Sequence, residues 1–424
     1  MRKPELLAPA GDFEKLRYAL HYGADAVYCA GKRFGMRSNA GNFSDEELKQ
    51  AADYTHGLGK KIYVTVNITA NNQDIDDLPD YIRFLESIGI DHLIAADPGV
   101  IMTIREAAPD MKISISTQAN TQNWKSCEFW YRNGAGRVVL ARELGLDAVT
   151  ELIRKKPEDL EIEMFVHGAM CISHSGRCLI SNYMTGRDAN KGDCAQPCRW
   201  NYSLRSREKA DDAREYELVE QQRPDQHWRI EEDERGSFFF NSKDLCLIDK
   251  IPELIAAGVD SFKIEGRMKS IYYVSTIVSA YRQMIDAVCD GTADEQTAVR
   301  LREELEKVSH RDYTTAFYDK KADGDAQNYG SSSYIRSCDY AGLVLSYDPE
   351  TETALVEQRN KLITGDDLEL LQAGKPGYIK ISDVVLYDEQ MNRIEATPHA
   401  RMLFRIKVPG PAAPMDILRR PQQS

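Results

Sequence analysis

Along residues 1–270 one pattern recurs: a short, near-continuous apolar run, then a stretch with apolar residues at helical spacing. The runs are ELLAPAGD (5–12), GADAVYCAG (23–31), KIYVTVN (61–67), IDHLIAAD (90–97), KISISTQAN (112–120), GRVVLAREL (136–144), IEMFVHGAM (162–170) and VDSFKIEGR (259–267). Between them, segments such as SDEELKQAADYTHGLGK and DLPDYIRFLESIG open on Ser or Asp and continue with helical periodicity; these residues cap helix starts. Strands this apolar, alternating with helices, make a parallel sheet covered on both faces. Eight of them predict an α/β fold of the TIM type, a (β/α)8 barrel, in which chemistry gathers at the C-terminal strand ends. A doubly wound open sheet is the alternative.

The alternation breaks at about 171–245. A cysteine-rich segment comes first, and RWNYSLRS, REYELVE, HWRIEEDE and GSFFFNS then read as short antiparallel strands joined by polar turns. We read the region as an insertion after the seventh strand, on the catalytic face. Helical patterns return in LIDKIPELIAAG, YYVSTIVSAYRQMIDAVCD and DEQTAVRLREELEKVS, so the barrel is expected to span 1–310. The Gly-, Ser- and Asp-rich stretch at 311–335 reads as a linker. Residues 336–424 alternate short strands with turns and predict a small β-barrel domain.

Composition narrows the classes. A chain of 424 residues, 42% of them hydrophobic, can form two or three domains. Its formal net charge of -13 argues against holding nucleic acid through bulk electrostatics and leaves room for a local basic patch. No stretch reaches the roughly 18 apolar residues of a membrane span, and the start of the chain lacks a signal-peptide core. A cytoplasmic protein with no membrane partner is therefore expected. In a reducing compartment, nine cysteines point to metal or redox chemistry rather than disulfides.

Four of those cysteines, Cys171, Cys178, Cys194 and Cys198, fall at the spacing C-x6-C-x15-C-x3-C in a polar, Gly-rich stretch. Buried structural cysteines explain one or two such residues, not four. Soft thiolates hold zinc or iron–sulfur centres. Zinc sites show two tight knuckles, and only the second pair here is tight, so the spacing favours iron–sulfur. Cys246, in NSKDLC where the chain re-enters the barrel, is a fifth candidate. The fourth ligand is then Cys198 or Cys246.

Polar groups punctuate the strand ends: Asn67, Asp97, Gln118, Arg142 with Glu143, His167, Lys263, Glu265 and Arg267. Alternation along KIEGR puts Lys263 and Glu265 on one side with Arg267 at the exit, and two cations there suit a carboxylate or phosphate. The competing reading is a salt-bridge network filling the barrel mouth. His167, four residues before Cys171, is either a proton shuttle or a satisfied core imidazole. Tyr183, Trp200 and Tyr202 lie close to the cysteines, either as packing under the loop or as rings on which a base could stack, and a restricted positive patch would include Arg177, Arg187, Lys191 and Arg199.

EMFVHGAMCISHSGRCLIS resembles the signature of the U32 peptidase-like family: Glu163, Phe165, Gly168, Ala169, Met170, Cys171, Gly176, Cys178, Ile180 and Ser181 meet every element. ELLAPAGD, GDCAQPCR, SKDLC, KIEGRMKS and the late NKLITGDDLELL also resemble that family. The likeness covers nearly the whole chain. The family's label implies a collagenase-type protease, yet no Ser/His/Asp or Cys/His arrangement and no HExxH stands out. Better-characterised members are 4Fe–4S proteins of oxygen-independent hydroxylation, and the two-domain layout is most similar to those that hydroxylate uridine 34 of tRNA at C5 with prephenate. The resemblance therefore implies a 4Fe–4S cluster on Cys171, Cys178 and Cys194, with Cys198 or Cys246. It implies prephenate as co-substrate and a tRNA anticodon loop as partner, with a shorter paralogue and the iron–sulfur assembly machinery as further partners. His167, Glu265 and Arg142 would be catalytic. Lys263, Arg267, Gln118 and Asn67 would bind substrate, with Arg142, Lys263 and Arg267 facing the two carboxylates of prephenate. The alternatives are a peptidase, a hydroxylase of another RNA or small molecule, and a non-catalytic iron–sulfur scaffold paired with a paralogue.

Overall fold

Each of the eight apolar runs forms a strand, and the eight close on themselves. They are β1 (Glu5–Pro9), β2 (Ala26–Cys29), β3 (Lys61–Thr65), β4 (His92–Ala95), β5 (Lys112–Ile115), β6 (Ala135–Val139) and β7 (Glu161–Ala169), with the eighth provided later by β12. A computed structural model describes residues 2–35, 42–170, 180–187, 194–200, 202–207, 215–221, 223–230, 243–319 and 335–422. The insertion contributes β8 (Tyr202–Arg207), β9 (Glu215–Glu220) and β10 (Arg223–Ile230), a separate three-stranded antiparallel sheet, and then β11 (Asp244–Cys246). Strand β12 (Ser261–Ile264) pairs in parallel with both β7 and β1 and shuts the barrel. The strands are buried almost throughout, which accounts for their unbroken apolar sequence.

Helices α1 (Phe13–His21), α2 (Asp45–Gly57), α3 (Asn72–Ser87), α4 (Pro98–Ala107), α5 (Trp124–Arg132) and α6 (Leu146–Lys155) fill the crossovers, and short α7 (Ile180–Thr185) follows the cysteine segment. The Ser44 cap is as expected, whereas α3 begins upstream of Asp77, on Asn71. Ser44 and Glu47 form a capping box at α2, and Asp97, one of the polar strand-end residues, caps α4 through the N–H groups of Gly99 and Val100. Asp97 thus has a local structural role. Helix α8 (Ile251–Ala257) precedes β12, and α9 (Ile271–Cys289) and α10 (Glu295–Leu305) follow it. Helix α9 buries thirteen of its nineteen residues, because barrel, α1 and α10 enclose it. At roughly 1.5–3 kcal/mol for each large apolar side chain removed from water, α9 is among the larger hydrophobic contributions to the fold.

One boundary differs from expectation. Residues 311–319 are barrel wall rather than linker: β13 (Tyr313–Thr314) pairs with β11, and Arg311 is fully buried in an ion pair with Asp244, Nη2 to Oδ1 2.7 Å. Charge pairing inside the stretch outweighs its loop-like composition. Residues 320–334, and GSFFFNS in the insertion, lie outside the described residues.

The second domain is an eight-stranded antiparallel sheet. Its members are β14 (Cys338–Asp348), β15 (Thr353–Gln358), β16 (Leu368–Leu371), β17 (Ile379–Ile381), β18 (Leu386–Tyr387), β19 (Arg393–Ile394), β20 (Leu403–Lys407) and β21 (Ile417–Pro421). The order β17-β16-β21-β14-β15-β20-β18-β19 wraps its own core but leaves β17 and β19 unpaired with each other, so the expected barrel is a half-barrel. It docks on the barrel helices. Tyr22 donates to the carbonyls of Leu371 and Met415, and Arg419 bridges Glu304 of α10 and Glu369 of β16.

Candidate active site at the barrel mouth

Charged residues enter the barrel at two depths. Near the strand starts, Arg137 meets Glu5 at 2.6 Å, Glu161 at 2.6 Å and Glu163 at 3.1 Å. Glu163 also accepts from Lys263 Nζ at 2.8 Å, and that ammonium lies over the rings of Tyr28 and Phe165. Burial pushes the Glu5 carboxyl up, but the charge and hydrogen bonds of Arg137 outweigh it and hold Glu5 below the usual carboxylate range. Lys263, expected at the mouth as a carboxylate ligand, is thus engaged by Glu163 within the barrel. Beside this network His92 Nδ1 lies 3.0 Å from Ser114 Oγ, both buried. Burial and the charge of Arg137 lower the His92 pKa to about 4. A Ser–His pair sealed among strand starts has no opening to a peptide, so it is packing rather than protease machinery.

At the strand ends the arrangement changes. Arg142, just beyond β6, stacks its guanidinium 4.0 Å from the Phe165 ring centroid. Its Nη1 donates to the Ala169 carbonyl at 2.7 Å, and Nη2 stands 3.7 Å from Glu265 Oε2. Arg142 therefore holds the last residue of β7, two positions before Cys171. Beside it a shallow depression with room for about one water, about 10 Å³, is lined by Arg142, Phe165, Leu245, Leu247, Thr315 and Tyr318. Asn67 and Gln118 meet across the mouth: Asn67 Nδ2 donates to Gln118 Oε1, and Gln118 Nε2 donates to the Asn67 carbonyl at 3.1 Å. Asn67 Oδ1 is buried with no hydrogen-bond partner among the described residues.

Two motif glycines let these ends converge. Gly168 has φ +117°, and a Cβ there would sit 2.7 Å from the Glu265 carbonyl oxygen; a Cβ on Gly11 would come within 2.1 Å of the Arg267 carbonyl oxygen. Glu265 and Arg267 follow β12 at the mouth, and Arg267 is buried.

His167 departs from the expected direction. Phe165 opposes Lys263 while His167 opposes Ile264, so β7 carries one extra residue, a β-bulge. Glu163 and Phe165 face the barrel interior; the bulge turns His167 to the helix side. There its ring packs against Tyr273, Tyr281 and Tyr313, with Nδ1 3.3 Å from Tyr281 Oη. Burial drives its pKa down to about 3, so the imidazole is neutral. The enclosure is that of a core imidazole, away from the mouth. Tyr281 ties this layer together, donating to Val166 O at 2.8 Å and accepting from Leu247 N at 3.2 Å.

Of the cysteines, Cys171 and Cys178 lie outside the described residues. Cys194 is exposed, and its Sγ accepts the Gln196 N–H at 3.4 Å. Cys198 follows in the same turn, and Trp200 Nε1 closes that turn on the Ala195 carbonyl at 3.2 Å. Cys246 pairs across β11 with His167, its Sγ 3.9 Å from Tyr281 Oη, and burial raises its thiol to about 11. Among the described residues no three His, Cys, Asp or Glu side chains converge as a metal site. Arg177 and Lys191, and the side chains of Tyr183, Arg199 and Tyr202, lie outside the described residues; Arg187 is exposed.

The "Peptidase family U32" model matches residues 11–328, and the "Peptidase family U32 C-terminal domain" model matches 336–419. The chain belongs to peptidase family U32. Among relatives of this U32 protein is tRNA hydroxylation protein P1 of Bacillus subtilis (strain 168), 41% identical over 419 residues, covering 99% of this chain and 95% of that one. Another is tRNA hydroxylation protein P of Escherichia coli (strain K12), 39% identical, covering 88% and 86%. The Escherichia coli 23S rRNA 5-hydroxycytidine C2501 synthase is 35% identical over 78% of this chain and 47% of its own length.

Sequence reasoning missed Arg137, Glu5 and Tyr281. Glu5, Arg137 and Glu161 were visible as charges at the starts of apolar strands, the positions a barrel floor neutralises. Tyr281 gave no signal beyond one more aromatic on a buried helix.

Proposed function

We propose that this U32 protein hydroxylates RNA, at C5 of uridine 34 in tRNA, using prephenate as hydroxyl donor and a 4Fe–4S cluster. The observation that carries the reading is identity of 41% along nearly the full length of a protein named for tRNA hydroxylation. The site is compatible with it in chemistry. Cys171, Cys178 and Cys194 would supply three soft thiolates, and Cys198 or Cys246 the fourth. The N–H that Cys194 Sγ accepts is the kind of hydrogen bond that stabilises a cluster sulfur. When bound, the cluster supplies one-electron or Lewis-acid chemistry beside the barrel mouth. Arg142 positions the strand end that leads into the cysteines, and with Arg267 offers cationic groups to the carboxylates of a small acid. Asn67 Oδ1 supplies a buried acceptor.

The test is mass spectrometry of tRNA nucleosides from a deletion strain. Nucleosides derived from 5-hydroxyuridine should vanish and return with the wild-type gene but not with Cys171→Ala. Unchanged tRNA in the deletion strain would end the proposal. Iron analysis of anaerobically purified Cys198→Ala and Cys246→Ala identifies the fourth ligand: one variant should lose the cluster and the other keep it.

A further inference from the structure

Two groups stand out among the eleven cations of the second domain; Arg336, Lys361, Lys375 and Lys380 belong to neither. Those facing the barrel or the ends of its own sheet are paired: Arg359 with Glu14 and Glu357, Arg419 with Glu304 and Glu369, and Arg420 with Asp339 and Asp366. The second set lies between residues 391 and 407, where four cations, Arg393, Arg401, Arg405 and Lys407, accompany a single acid, Glu395. None of these four has an ion pair among the described residues. The surrounding acidity is also lower here: residues 336–424 hold eleven Lys and Arg against thirteen Asp and Glu, net -2 of the chain's -13.

Register fixes where three of these cations point. Across β19, β18, β20 and β15, Arg393 opposes Tyr387, Tyr387 opposes Arg405, and Arg405 opposes Leu355. Directly opposed residues share a face. The alternate residues Leu386, Ile406 and Ala354 line the domain core, so the Arg393–Tyr387–Arg405 row faces outward. Lys407, two residues beyond Arg405, joins the same face and is exposed. With strands about 4.8 Å apart, the two guanidiniums flank the Tyr387 ring about 10 Å from each other. Two neighbouring carboxylates make hydrogen bonds within their own loops: Asp348, which also feels the charge of Arg405, accepts from Glu350 N and Thr351 Oγ1, and Asp388 accepts from Gln390 N and from Asn392.

We infer that this outer face of β15, β20, β18 and β19 is an RNA-docking surface, on which Arg393, Arg405 and Lys407 contact phosphates and Tyr387 stacks on an unpaired base. The inference rests on the RNA-substrate reading above and assigns that RNA a second contact area, away from the barrel mouth. Cations interleaved with an aromatic on an open sheet face are the combination single-stranded segments need: charge for the backbone, a flat ring for a base. A net acidic protein can hold tRNA only through such a restricted patch.

The experiment is fluorescence anisotropy of the full chain with a fluorescein-labelled unmodified tRNA transcript, across a salt series. The Arg393→Gln/Arg405→Gln/Lys407→Gln protein should bind at least about tenfold more weakly, with a log K against log salt slope shallower by about 2 to 3. Tyr387→Ala should weaken binding without moving the slope. A control removing three ion-paired cations, Lys125→Gln/Arg132→Gln/Lys155→Gln, should leave both intact. An unchanged slope in the first variant, or an equal change in the control, overturns the face alone and leaves it to a protein partner. Absence of tRNA binding by the wild-type chain overturns the RNA-substrate reading and the face with it.

Discussion

The floor and the mouth of the barrel share strands β6, β7 and β12 and treat charge in opposite ways. At the floor every cation meets a carboxylate: Arg137 has three, and Lys263 has Glu163. At the mouth Arg142 spends its best hydrogen bond on a backbone carbonyl and stacks on Phe165, with its carboxylate partner 3.7 Å away. Depth along a strand, not residue type, separates a structural cation from one that can serve a ligand. Within KIEGR, three residues of one motif divide on this basis: Lys263 belongs to the interior, while Glu265 and Arg267 belong to the exit.

The sharpest way to break this contrast is at the floor. Arg137→Ala leaves three carboxylates without their cation, and urea unfolding should show a loss of ~3–5 kcal/mol. A loss under ~1 kcal/mol would mean the network is incidental. At the mouth the balance should reverse. Arg142→Ala removes one hydrogen bond worth ~1 kcal/mol of stability. It misplaces the strand end before Cys171, so hydroxylated nucleoside in the complemented deletion strain should fall by about 10²-fold. Equal damage to stability and product would erase the distinction.

A smaller effect comes from pH. The folded His92 pKa of about 4 lies below its unfolded value. Between the two, the unfolded chain binds more protons, so stability is present above about pH 6.5 and falls as the pH drops toward 4. The slope is ~1.4 kcal/mol per pH unit for one such group. The depressed Glu5 and Glu161 carboxyls extend the loss to lower pH. Unfolding curves for His92→Gln should be flatter across that window; an unchanged slope would remove His92 from the floor's account. The smallest effect belongs to the helix side of β7. Tyr281→Phe should cost about 1 kcal/mol and leave product nucleoside within about twofold. A larger loss of product would bring that layer into the chemistry.

The barrel was legible because eight fully buried strands must be apolar almost without interruption, and few other folds ask for that. The second domain was legible from its alternation, although the missing closure between β17 and β19 was not. Tertiary charge pairing was invisible: nothing in the composition of 311–319 reports that Arg311 returns to Asp244. The direction of His167 was lost to a single inserted residue, since a period-of-two argument inverts at a bulge. Cys246 was expected near the face that carries the other cysteines; it lies on β11 opposite His167, beside Tyr281.

Strand β11 runs back along β7, with Asp244 opposite Ala169. The chain thus leaves the barrel and returns to it at one point, and everything between hangs from a closed neck. An excursion whose two ends touch imposes no strain on its host whatever its length, and lengthening it adds only a logarithmic entropy term. The segment from 170 to 243 can therefore change in length at a small entropic cost while the eight strands beneath it keep their register.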